Sequence, residues 1–106
     1  MTQVDLAQAL KSTGLPVAYH SFKKAPTPPY LVYLFSYSDD LMADDCNYVD
    51  MANFQVELYS TKKDPATEKL VELKFKELGL PYSKIETFIQ SEDLFQILYR
   101  VQLIGG

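Results

Sequence analysis

Residues 48–79, which read YVDMANFQVELYSTKKDPATEKLVELKFKELG, contain the pattern that determines the fold. From Tyr48 to Ser60 apolar and polar side chains alternate, which is the period of a strand with one face in water. Asp64 is a favourable N-cap, Pro65 suits the first helical position, and Gly79 ends the helical pattern. The stretch therefore predicts a half-buried strand, a short polar break and a capped helix.

The two periodic segments also predict which side chains are buried. The buried face of the strand is expected to carry Ala52, Phe54, Val56 and Leu58, with Asn53, Gln55, Glu57 and Tyr59 opposite. The apolar stripe of the helix is expected to consist of Leu70, Val71, Phe75 and Leu78. Glu68 and Glu72 fall on positions that predict exposure, and Glu72 has the spacing to pair with Lys76.

The rest of the chain supplies further elements on either side of this stretch. A helix is predicted over about residues 3–13. Strands are predicted over Val17–Phe22, Tyr30–Tyr37, Tyr82–Ile89 and Leu94–Ile104, and loops over Lys23–Pro29 and Ser38–Asn47. The resulting order, α-β-β-β-α-β-β, predicts a single α+β domain over residues 1–106. Its sheet is expected to be mostly antiparallel, with both helices on one face and polar residues such as Gln96 and Gln102 on the other.

Composition restricts the classes of function. The chain has 106 residues and a formal net charge of -4, which argues against a dedicated binder of nucleic-acid phosphates. One cysteine excludes an intrachain disulfide and favours a reducing compartment. The start of the chain lacks a signal-peptide pattern, and the longest apolar-rich run, Tyr30–Phe35, is too short to span a bilayer. We therefore expect an intracellular protein without a membrane partner.

The sequence offers little for catalysis. His20 is the only histidine, and no acidic residue or cysteine stands near it at ligand or triad spacing; a structural or surface role is the expectation. Cys46 lies among carboxylates, which raise a thiol pKa and oppose reactivity. The four glycines form no phosphate-binding loop. We expect no catalytic residue, no metal ligand and no cofactor.

Two segments are candidates for contact with partners. The first is rich in proline, and its candidate contact residues are Lys23, Pro26, Pro28 and Pro29. The second is acidic, and its candidates are Asp39, Asp40, Leu41, Met42, Asp44 and Asp45. With Asp50, the acidic residues could form a solvated loop, a partner-facing patch or a site for a hard cation. Leu41 and Met42 favour the patch, because apolar side chains in a polar loop are typical of contacts.

The order of motifs along the chain resembles that of small head-tail connector proteins of long-tailed phages and prophages of Gram-positive bacteria. The shared pattern is a short N-terminal helix, a Gly-Leu-Pro exit, a proline-rich stretch before a YLVY-type strand, an acidic loop, and then ELYS-x-K-x-D-P before a helix. A closing element, E-T-x-x-x-x-E-x-L-x-Q-x-x-Y, follows. It consists here of Glu86, Thr87, Glu92, Leu94, Gln96 and Tyr99.

This resemblance implies a virion structural protein without catalysis, of the tail-completion, tail-terminator or tail-to-head joining type. It implies a ring, usually hexameric, between the capsid connector and the tail tube, assembled in the host cytoplasm from subunits that can be monomers in isolation. No Lys or Arg occurs between Ala25 and Thr61, so a ring with this segment inward would let DNA pass its lumen without specific binding. The alternatives are a bacterial adaptor module for protein-protein interaction and, less favoured, a metal-dependent enzyme using the aspartates.

Overall fold

The computed structural model describes residues 2–38, 41–43, 46–49 and 51–104. Its elements are α1 (Gln3–Lys11), β1 (Val17–Tyr19), β2 (Tyr30–Ser38), β3 (Leu41–Ala43), β4 (Cys46–Val49), β5 (Met51–Ser60), α2 (Pro65–Glu77), β6 (Tyr82–Ile89) and β7 (Leu94–Ile104). The α+β class is confirmed.

Five strands form the main sheet, in the order β1-β2-β5-β7-β6. All neighbouring strands are antiparallel except β1 and β2, which are parallel. The sheet is therefore mixed, although mostly antiparallel as predicted. The central strand β5 pairs over its whole length with β7, so that Val56 lies opposite Tyr99, and on its other side Val56 lies opposite Tyr33.

The core lies between one face of this sheet and the two helices. Buried side chains from α1 and α2, including Leu6, Leu10, Val71 and Phe75, pack in one cluster with the alternating residues of β5 and β7. Phe54, Val56 and Leu58 are buried as the period-two pattern predicted, and so are Ile97, Tyr99, Val101 and Leu103. We call this the covered face and the opposite side the open face.

Capping residues set the helix ends. Thr2 and Asp5 form a capping box at the start of α1, and the Asp64 carboxylate accepts a hydrogen bond from the backbone N–H of Thr67 at the start of α2. Gly79 follows α2 with φ +68°, a left-handed conformation that glycine adopts without steric cost. The first helix ends at Lys11, two residues before the predicted end.

The prediction of a loop over Ser38–Asn47 is wrong. Ser38 belongs to β2, and β3 and β4 pair antiparallel in a small sheet of their own, with Ala43 opposite Cys46. Aspartate disfavours strands, so composition suggested a loop. The ends of β2 and β5 are held side by side, with Ser38 opposite Ala52, so the connecting chain can continue as a hairpin. The predicted strand from Tyr48 is correspondingly two strands, β4 and β5.

The strand predicted over Val17–Phe22 is also shorter than expected. It ends at Tyr19 because His20 has φ +68°, outside the extended region. The His20 N–H still donates a hydrogen bond of 2.8 Å to the Tyr33 carbonyl oxygen. This turn directs the chain away from the sheet edge and into the proline-rich segment.

Candidate functional site

The proline-rich segment is not a free arm. Lys23 is exposed, but Pro26, Pro28 and Pro29 are half-buried. The segment folds over the open face near the start of β2, where the Phe22 ring meets the Tyr30 ring edge-on with centroids 5.4 Å apart. Val32 and its strand partner Glu57 both lie on the open face, yet Val32 is only 5% exposed. The segment is a loop, as predicted, and of its candidate contact residues Lys23 is exposed whereas the three prolines are half-buried.

The acidic segment coincides with the β3–β4 hairpin. Leu41 and Met42 lie in β3, where the main chains of Leu41 and Met42 pair with Val49 and Asn47. Asp39, Asp40, Asp44, Asp45 and Asp50 lie outside the described residues.

The structure does not bring the two predicted contact segments together. One precedes Tyr30, the first residue of β2, and the other follows Ser38, its last. A nine-residue strand spans roughly 26 Å at about 3.3 Å per residue. The two segments therefore belong to separate surfaces at opposite ends of the sheet.

Sequence reasoning missed a group of exposed apolar side chains where the hairpin leaves the sheet. Tyr37 is 58% exposed, Ile104 53% and Phe35 43%. We call this the hairpin end. Exposed aromatic side chains of this kind are enriched at the energetic centres of protein interfaces. The available signal was the aromatic run of β2, because only its first four residues are buried within the subunit.

Polar side chains linked by hydrogen bonds occupy much of the open face. The Gln102 amide donates to Asn53 at 3.2 Å. The Gln96 amide donates to the Tyr59 hydroxyl at 2.9 Å, and that hydroxyl donates to Glu57 at 2.8 Å. Burial, together with the bond to the Glu57 carboxylate, raises the pKa of Tyr59 to about 12. The polar residues expected on a partly wet face are half-buried: Gln55, Glu57, Gln96 and Gln102.

Arg100, the one arginine of the chain, lies between two clefts of the open face, of about 330 Å³ and 160 Å³. Asn53 lines both clefts with it. Among the described carboxylates, none lies within ion-pair distance of the Arg100 guanidinium. The open face thus presents an exposed cation close to amide groups, which suits contact with a polar or acidic partner surface.

An ionic cluster joins α2 to the sheet, and it buries a glutamate that was predicted to be exposed. Glu68 is 3% exposed rather than solvated. The Lys84 ammonium lies 2.6 Å from Glu68 and 2.8 Å from Glu72, and Lys63 contacts Glu68 and Glu86. Glu72 therefore pairs across to β6 rather than along the helix with Lys76. Leu70, which was assigned to the buried stripe, is 37% exposed.

The buried aromatic Tyr99 completes this cluster. Its hydroxyl donates a hydrogen bond of 2.7 Å to Glu72. Burial alone would raise the pKa of Glu68 and of Glu72, but hydrogen bonds from Lys84, with Lys63 for Glu68 and Tyr99 for Glu72, outweigh it and lower both. Burial and the Glu72 carboxylate raise the pKa of Tyr99. Each of the three carboxylates has at least one ammonium partner, and the cluster fixes α2 on the sheet.

Among the side chains that the structure describes, those with catalytic potential are not assembled into a site. His20 is exposed, and its Nδ1 atom lies 3.4 Å from the Ser21 hydroxyl oxygen. Within residues 2–38, 41–43, 46–49 and 51–104, no three His, Cys, Asp or Glu side chains are grouped so that they could hold a metal ion. In that part of the chain, neither helix has the length and apolarity needed to cross a bilayer.

No protein-family model matches the chain, and no curated protein matches its sequence. A function therefore has to be inferred from the surfaces described above and from the order of the sequence motifs.

Proposed function

We propose that this protein is a structural subunit of a phage or prophage virion that joins the capsid connector to the tail tube, assembles as a ring, and performs no catalysis. The proposal starts from the motif order that resembles head-tail connector proteins. It places the protein in the virion after assembly in the host cytoplasm, with DNA passing through the ring without specific contacts.

The separation of the contact surfaces is the observation that favours a ring. Head-to-tail contacts use two different patches on each subunit, and such contacts form a ring when the rotation between neighbours closes. The hairpin end and the Lys23 segment lie at opposite ends of β2, so one can meet the other on the next copy. The hairpin segment also carries acidic residues while Lys23 and Lys24 are basic, which gives such a contact opposite charges.

The exposed apolar residues of the hairpin end are the second support. Large exposed apolar side chains at one end of a sheet are candidates for contact, and Tyr37 lies on the open face, opposite Asn53. Tyr37 is the most exposed of the three. We assign it to the centre of the contact with a neighbouring subunit or with the connector.

Complementation of a phage that lacks the gene tests the proposal. Electron microscopy of the deletion phage should show full heads and finished tails that remain separate. Wild-type protein should restore joined particles, and Tyr37→Asp should not, because it places a charge in an apolar contact. Val4→Asp is the matched control: Val4 is 62% exposed on α1, and an acidic residue is favourable near a helix N-terminus.

Several results would contradict the proposal. Joined virions in the absence of the protein would exclude a joining role. Normal joining with Tyr37→Asp would remove the hairpin end from the contact. Turnover of a small molecule by the purified protein, abolished by one aspartate-to-asparagine change, would favour an enzyme. Stable capture of a non-virion protein without any ring would favour an adaptor module.

A charge test addresses passage of DNA. Reversal of Asp39, Asp40, Asp44 and Asp45 to lysine should slow DNA ejection if this segment lines the lumen, because a positive wall retains phosphates. Unchanged ejection kinetics from normally joined particles would show that the segment faces elsewhere.

A further inference from the structure

The strand β6 forms one edge of the main sheet and is unusually open to pairing. It runs from Tyr82 to Ile89, and the six residues between its ends are all exposed. Its register with β7 is continuous, without a bulge. Proteins usually protect edge strands by shortening them, by bulges or by proline, and residues 82–89 have none of these features.

The opposite edge of the sheet is protected, which makes the contrast informative. The strand β1 has three residues and is bounded by Pro16 and by the left-handed His20. A lysine that points outward is another common protection of edges. Lys84 does not serve this purpose in β6, because its ammonium is directed at Glu68 and Glu72 of α2. Ile85 and Phe88 meanwhile remain 46% and 43% exposed.

The sequence of β6 is complementary to itself in one antiparallel register. Two copies that pair through this edge are related by a two-fold axis perpendicular to the sheet, so facing residues lie on the same face and their numbers differ by an even amount. With Ile85 opposite Ile85, Lys84 lies opposite Glu86. The same register places Tyr82 opposite Phe88 and Ser83 opposite Thr87.

The neighbouring registers are unfavourable. A shift of the axis to Lys84 places that lysine opposite itself, and a shift to Glu86 places two glutamates together. Like charges directly opposite each other destabilise a strand pair, whereas opposite charges and aromatic pairs stabilise it. An ammonium group has three N–H donors, and Lys84 directs its ammonium at two carboxylates within its own subunit. The third donor can reach Glu86 of a second copy.

We propose that β6 is the docking strand for a second copy of this chain, which pairs antiparallel to it with Ile85 on the two-fold axis. The two sheets of five strands then become continuous, with all helices on the same side. The contact is isologous and closes at two copies. It is therefore separate from the head-to-tail contacts of a ring, and either one can exist without the other.

Disulfide trapping tests both the pairing and its register. In a Cys46→Ser background, Ile85→Cys places two thiols opposite each other, with Cα atoms about 4.5–5.5 Å apart, which is within disulfide range. Thr87→Cys is the matched control, because Thr87 is exposed in the same strand. In the proposed register Thr87 lies opposite Ser83, so the two thiols introduced by Thr87→Cys are about 13 Å apart. Mild oxidation should cross-link the first variant and leave the second monomeric on a non-reducing gel.

Sedimentation velocity over about 1 µM to 1 mM protein gives an independent reading of the dissociation constant. Ile85→Lys places two ammonium groups on the axis and should weaken the dimer by about tenfold or more. Val4→Lys introduces the same charge at a site on α1 that is 62% exposed and belongs to neither proposed contact, and it should leave the dimer unchanged. Unaltered thermal unfolding of both variants shows that the subunit itself is intact.

A wild-type protein that remains monomeric to the highest concentration would overturn the proposal. So would equal cross-linking of the two cysteine variants, or equal dimerisation of the two lysine variants.

Discussion

The contribution of the ionic cluster between α2 and β6 to stability can be measured with the Lys84→Met variant. Removal of this ammonium leaves Glu68, whose side chain is 4% exposed, with Lys63 as its remaining cation. Loss of one partner of a buried ion pair costs about 3–5 kcal/mol. The Lys84 side chain is 35% exposed and Lys63 stays in place, so we expect a reduction in the free energy of unfolding of about 2–3 kcal/mol.

Substitution of the carboxylate partner, Glu68→Met, should reduce the free energy of unfolding by less. In Glu68→Met, Lys84 retains Glu72 and Lys63 retains Glu86, so no buried carboxylate is left without a cation. An apolar side chain of similar length at a buried position then costs about 0–1 kcal/mol. In the double variant the Lys84 substitution no longer deprives Glu68 of a partner. The two effects should therefore fall short of additivity by about 1–2 kcal/mol.

Urea denaturation at low protein concentration measures these values, and an unchanged slope against urea would show that unfolding remains comparable. Lys74→Met is the control, because Lys74 contacts Glu77 at 3.6 Å and that glutamate is 65% exposed. It should change stability by less than about 0.5 kcal/mol. A coupling between Lys84 and Glu68 below about 0.5 kcal/mol would refute the reasoning, since additivity within that error means that the two sites act independently.

Three further predictions concern pH, the cap and the backbone. The folded pKa of Glu68 and of Glu72 lies below the ordinary value of 4.5, so their contribution to stability is complete above pH 4.5 and is lost as the pH falls through the folded values. Thermal unfolding measured from pH 7 to pH 2 should show this loss of stability, and the loss should be smaller in Glu68→Met. Asp64→Ala removes the acceptor for the Thr67 N–H and should lower stability by about 1 kcal/mol, whereas Asp64→Asn should cost less than half as much; equal losses in urea denaturation would exclude a capping role. Gly79→Ala should cost about 1 kcal/mol through the left-handed backbone alone, since a Cβ atom there meets no neighbour within 4 Å; a crystal structure with displaced neighbours would contradict that explanation.

Periodicity predicted the layers of this fold because each period follows from backbone geometry. Residues of β5 and β7 alternate between the two faces of the sheet regardless of what covers those faces. The pattern therefore identified Phe54, Val56 and Leu58 as buried, as the structure confirms. Asp64 and Gly79 likewise mark the ends of α2 through local hydrogen bonding and local backbone freedom.

The partners of charged residues could not be predicted in this way. A helical period predicts which side of α2 carries Glu72, but it does not show that β6 lies against that side. Tyr99 and Lys84 reach Glu72 from strands that are distant in sequence, and only the tertiary arrangement makes the site partly buried. The same limit applies to Tyr37: it lies opposite Asn53 on the open face, and the sequence does not indicate how far along β2 the proline-rich segment covers that face.

The positions of the proposed contacts have a consequence for assembly. The hairpin end and the Lys23 segment lie at the two ends of β2, whereas β6 lies three strands away at the far edge of the sheet. A subunit can therefore pair through β6 without covering either end. Head-to-tail contacts would build a ring, and β6 pairing would join two subunits related by a two-fold axis, either on their own or from two different rings. Because the two contacts involve different residues, Tyr37→Asp should abolish joining of heads and tails while leaving the Ile85→Cys cross-link intact. If both were lost together in a folded protein, the two surfaces would have to be one interface, and the geometry of β2 and β6 argues against that.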